Sequence, residues 1–70
     1  MTNLDKSYQL LNSTIDTLEI KYGENTNTQT LKEGRTNFKY EVMFCDKNNN
    51  ITTKHIEVYL KNEYVKILKK

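Results

Sequence analysis

The chain has no proline, no tryptophan and no alanine, and it has one cysteine and two glycines among 70 residues. Each shortage excludes something. A lone cysteine, Cys45, rules out an intramolecular disulfide framework and points to a reducing compartment, so a cytoplasmic location is expected. Neither Gly23 nor Gly34 stands in a phosphate-loop motif, which argues against nucleotide-binding folds. One histidine, His55, and one cysteine are too few nitrogen and sulfur ligands for a zinc site, so no metal and no cofactor is expected. No apolar run approaches the roughly 18 residues of a membrane span. The opening stretch MTNLDKSYQLLNST lacks the basic segment and apolar run of a secretory signal. The sequons at Asn12 and Asn50 are accordingly expected to stay unmodified.

Apolar residues are also scarce. They make up 36% of the chain, below the roughly 45–50% usual for globular domains. A chain of this length forms one domain with a thin core, and dimerisation is a route to further burial. The net charge is +2, with seven basic and four acidic groups in residues 36–70. That is less than the concentrated basic patch of a dedicated nucleic-acid binder. Usage rich in Lys, Asn, Ile and Tyr and devoid of Ala and Pro implies AT-rich coding, as in a low-GC bacterium or its phages and mobile elements.

What is present is pattern. Leu4, Tyr8, Leu11, Ile15, Leu18 and Tyr22 recur at spacings of 4 and 3, an amphipathic helix over about 3–22. Thr2 and Asp5 resemble a capping box, and Gly23 suits the helix end. A helix over 3–13 followed by a strand over 16–22 also fits, because Leu18, Ile20 and Tyr22 alternate, but six in-phase positions favour the single helix. Residues 23–36 are polar and read as a loop with at most a short strand or turn near Leu31.

From Phe38 the period becomes two, with strands expected over about 37–46, 51–60 and 63–69. Phe38, Tyr40, Val42 and Phe44, then Ile56, Val58 and Leu60, then Val65 and Ile67 each share one face. Setting Val58 opposite Val65 and Ile56 opposite Ile67 leaves a two-residue turn at Lys61-Asn62 and pairs Tyr59 with Tyr64 and Glu57 with Lys66 on the other face. The connection through Asn48-Asn49-Asn50 requires an odd loop length, with three residues expected. The expected fold is α+β: an N-terminal amphipathic helix packed on a three- to four-stranded antiparallel meander sheet.

Residues 46–57, DKNNNITTKHIE, imitate a calcium loop, with Asp46, Asn48 and Asn50 at positions 1, 3 and 5 and Glu57 at position 12. The turn glycine is replaced by Ile51 and both flanks read as strands, so a hairpin turn is expected instead. Cys45 and His55 face the same way on neighbouring strands, a combination that can supply a nucleophile or two metal ligands. An isolated pair on a sheet surface is more often structural, and no enzyme is expected. The second sheet face is more apolar than solvation needs, which makes Met43, His55, Tyr59, Tyr64 and Leu68 the candidate residues for binding a protein partner or forming a homodimer. Leu10 and Ile20 are candidates for a dimer contact along the helix. The alternative is weak nucleic-acid binding by Lys61, Lys66, Lys69 and Lys70. The function expected is that of a non-enzymatic modulator, encoded by a phage or mobile element, that binds a host protein.

Overall fold

The computed structural model describes residues 2–68. One helix, α1 (Asn3–Tyr22), is followed by four strands, β1 (Glu24–Glu33), β2 (Asn37–Cys45), β3 (Ile51–Tyr59) and β4 (Tyr64–Leu68). The strands form one antiparallel sheet in the order β1-β2-β3-β4, an α+β meander with the helix across one face.

The capping box forms. The Asp5 backbone N–H donates to the Thr2 hydroxyl at 3.1 Å, and the Thr2 N–H donates back to the Asp5 carboxylate at 3.4 Å. The helix then runs unbroken to Tyr22, so the rival strand over 16–22 does not form. Gly23 stops it at φ +114°, with its N–H on the Glu19 carbonyl at 3.0 Å. A Cβ there would lie 2.0 Å from the Cys45 carbonyl oxygen, so β2 approaches the helix end as closely as a bare backbone allows.

The core follows the two expected periodicities. Leu11, Ile15 and Leu18 are buried against Phe38, Tyr40, Val42 and Phe44 of β2, Ile56 and Val58 of β3, and Leu60. Ser7 is also fully buried; its hydroxyl pairs with the Tyr40 hydroxyl and donates to the Leu4 carbonyl at 2.8 Å. Tyr8 packs its ring 5.2 Å from that of Tyr40 and reaches the Thr30 hydroxyl on β1. Coverage thins toward β4, where Val65 is half-buried and Ile67 is 41% exposed. Ile20 points away from the sheet and is 90% exposed, while Leu10 packs partly on the core.

The loop expected over 23–36 is a strand. β1 spans ten residues and pairs with β2 along its length, leaving only Gly34–Thr36 as the connection. Its alternation is scrambled by bulges that leave Thr26 and Leu31 outside the ladder. It is held by backbone hydrogen bonds and β-branched threonines at 26, 28 and 30 rather than by apolar burial, so an apolar count could not reveal it.

The β3–β4 register is as expected: Tyr59 with Tyr64, Val58 with Val65, Glu57 with Lys66 and Ile56 with Ile67. The turn is not. The favoured two-residue hairpin turns need left-handed backbone at the first central residue or at both. Neither Lys61 nor Asn62 has positive φ; the chain instead turns over Leu60–Glu63, with Glu63 alone left-handed at φ 48°. At the β2–β3 end the loop is odd as expected, but it comprises Lys47–Asn49, closed by the Asp46 N–H to Asn50 carbonyl bond. Asn49 supplies the left-handed residue at φ 64°.

Candidate functional site

Among the described residues no element lies over the face of the sheet turned away from α1. Register arranges its side chains in rows across the strands. At the end near the β3–β4 turn stand Asn37, Tyr59 and Tyr64. The next row is Lys32, Lys39, Glu57 and Lys66, then Gln29, Glu41, His55 and Leu68, then Asn27, Met43 and Thr53.

The expected candidates therefore share a face without forming one apolar patch. Tyr59 and Tyr64 stack with ring centroids 5.9 Å apart and 25° between planes, and Tyr64 is 53% exposed. His55 and Leu68 are direct cross-strand partners. The charged row separates those two pairs, and Met43 lies on β2, with β3 between it and Leu68. Lys61 is exposed in the β3–β4 turn and Lys66 on the edge strand β4. Lys69 and Lys70 lie outside the described residues.

Glu57 organises the surface. Although no element covers it, it is buried, with 8% of its area exposed. The Tyr59 hydroxyl donates to Oε1 at 2.7 Å and the Asn37 amide to Oε2 at 3.0 Å. These two bonds, the Tyr59 one foremost, hold its carboxyl below the usual carboxylate range, helped by the nearby Lys39 and Lys66. The same bond pushes the Tyr59 hydroxyl above its ordinary value. In the next row His55 Nε2 and Glu41 Oε2 are 3.1 Å apart, the one ion pair or hydrogen-bonded acid–base pair of its kind among the described residues.

The calcium-like stretch is a turn. Asp46 Oδ1 accepts the N–H groups of Asn48 at 2.8 Å and Asn50 at 2.9 Å, and Oδ2 accepts the Asn50 side-chain amide at 3.3 Å. The Asn50 and Asn48 backbone donors keep the Asp46 carboxyl below its ordinary value. Glu57 lies at the other end of β3, roughly 20 Å away at strand rise. Cys45 and His55 are likewise apart. The partner of His55 on β2 is Glu41, four residues or roughly 13 Å along the strand from Cys45. The thiol faces the Asp46 carbonyl at 3.5 Å and the Asn49 side chain at 4.0 Å. It lines a shallow concavity of about 660 Å³ with Glu19, Gly23, Glu24, Thr26 and Lys47. The Glu19 carboxylate there is already engaged by the Asn25 N–H at 3.0 Å. Among the described residues no three His, Cys, Asp or Glu side chains gather closely enough to hold a metal. Nor, among the described residues, is any helix long and apolar enough to cross a membrane.

Lys32 and Lys39 were not among the residues singled out from sequence. Lys39 carries the right strand phase for the outer face, but Lys32 lies in β1, whose polar residues read as a loop in the sequence. No protein-family model, curated protein or solved structure matches this chain.

Proposed function

We propose that the protein is a non-enzymatic binding module that docks on a protein partner through the uncovered sheet face. The observation that carries this is the Tyr59–Tyr64 stack. Two large aromatic side chains stand side by side on a face that, among the described residues, no element covers, and one of them is half-exposed. Tyrosine is enriched in binding hot spots because a rigid amphipathic ring gives contact area at little entropic cost. The Asn37–Glu57–Tyr59 hydrogen bonds fix the ring before a partner arrives, and preorganisation lowers the ordering penalty of association. The separation of Cys45 from His55 and the burial of the Ser7 hydroxyl in the core support a role in binding rather than catalysis. Small size and AT-rich residue usage suit a modulator carried by a phage or mobile element and acting on a host protein in the cytoplasm.

The test is affinity capture from a bacterial lysate with three baits: the wild-type chain, Tyr64→Glu and Leu68→Lys, each first shown to be folded by circular dichroism. A protein captured stoichiometrically by the wild type and lost with both variants is the expected result. Identical captures by all three baits would sink the proposal. So would retention dominated by nucleic acid that washes off steeply with salt.

A further inference from the structure

Resting on that proposed docking face, we infer that its partner presents an acidic segment, seated on a row of lysines that crosses the sheet. Lys32, Lys39 and Lys66 lie in one register row with Glu57, one residue from each strand. At sheet spacing the row spans about 14 Å. Among the described residues none of the three lysines has a carboxylate within 4.0 Å; Glu57 is occupied by Tyr59 and Asn37. Three positive groups outnumber the one carboxylate of the row, and with the flanking aromatic pair they make a surface complementary to carboxylates beside an apolar anchor.

Two features of the backbone sharpen this. The first is the bulge at Leu31. With regular alternation after Thr30, which faces Tyr8, residue 32 would turn toward the helix. The extra residue moves Lys32 into register with Lys39 on the outer face and leaves Leu31 50% exposed. Re-aiming a side chain is a recurrent use of bulges beside functional sites. The second is the Lys32–Lys39 pairing itself. Like charges directly opposite each other destabilise a sheet, so the bulge brings Lys32 to the least favourable neighbour available. An anion bridging the two relieves that repulsion.

The chemistry favours an acidic protein segment over a nucleic acid. A nucleic-acid strand carries a charge at every phosphate and meets Glu41 and Glu57 along this face, whereas a protein segment can set carboxylates on the lysines and uncharged side chains beside those two glutamates. The positive charge is confined to a row across the strands instead of a track.

The experiment titrates the isotope-labelled full chain by amide NMR with a decaglutamate peptide, a decaglutamine control and a ten-nucleotide single-stranded DNA. Decaglutamate should move the resonances at and around residues 32, 39 and 66. Its affinity should fall by about fivefold or more as salt rises from about 0.05 to about 0.5 M, because screening shortens the reach of each charge. The variant K32Q/K39Q/K66Q should weaken binding about tenfold, and the equally neutralised K6Q/K21Q/K47Q by less than about twofold. K32Q alone should melt no lower than the wild type while binding more weakly, which keeps the comparison open if the triple variant does not fold. Equal losses in the two triple variants, equal shifts with decaglutamine, or tighter binding of the DNA at this row would each overturn the inference. In the capture experiment above, a triple lysine variant that retains the partner while Tyr64→Glu loses it would remove the acidic segment and leave the docking face standing.

Discussion

At the scale of single residues, Glu57 links stability to pH. Its carboxyl is held below the usual range in the folded chain and reverts to the ordinary glutamate value when unfolded. The unfolded chain therefore binds the proton more tightly. The stability this residue contributes is fully present above that unfolded value and is lost as pH falls through the folded one. Asp46 acts in the same direction. The urea midpoint should thus drop as pH falls below about 5, and Glu57→Gln should reduce the drop, leaving the share that belongs to Asp46. An identical drop in both proteins would show that the Tyr59 and Asn37 hydrogen bonds do not favour the charged form. The strand phase and the register already place Glu57 opposite Lys66 in the sequence, but nothing there reveals that Tyr59 and Asn37 bury it. Ser7 shows the same limit from the inside. It falls on the helix stripe between Leu4 and Leu11, yet a polar residue carries no apolar signal, and only the buried Tyr40 hydroxyl opposite explains its place.

At the scale of elements, what two independent constraints specify was legible. α1 carries six in-phase apolar positions and a capping box. The β3–β4 register satisfies both faces at once, and a slip of one residue would have turned every side chain over. β1 had neither kind of support. An edge strand is hydrogen-bonded on one side only, and its two bulges break the period that would have announced it. The row at Lys32 was hidden for the same reason. Where helix and sheet meet, Gly23 is irreplaceable by geometry. Gly23→Ala would force a side chain to positive φ and into the Cys45 backbone. Loss of about 2 kcal/mol or more of unfolding free energy is expected, readable by chemical denaturation. A loss below about 0.5 kcal/mol would mean that the helix end and β2 separate readily.

At the scale of the whole molecule, one helix covers a sheet that is wider than the helix. The inner face is a core that thins toward β4, while the outer face is a pattern of charge and tyrosine. Substitutions on the two faces should therefore separate cleanly. Phe44 is fully buried, and Phe44→Ala should lose about 3–5 kcal/mol, most of the stability available to a chain of this size. Tyr64→Glu forfeits only a stacking contact and should lose about 1 kcal/mol or less. Thermal melts of the two variants check this directly. Comparable losses would make the outer face a second structural layer.

The sheet order carries one more consequence, for the speed of assembly. Every strand lies beside its neighbour in the chain, and the turns between them are short. No strand has to wait for a distant segment, so each hairpin closes a small loop and offers its free edge to the next. Such nearest-neighbour wiring places the chain among the faster folders for its strand content. A single refolding phase on the millisecond scale or faster is the behaviour to expect in a rapid-mixing experiment.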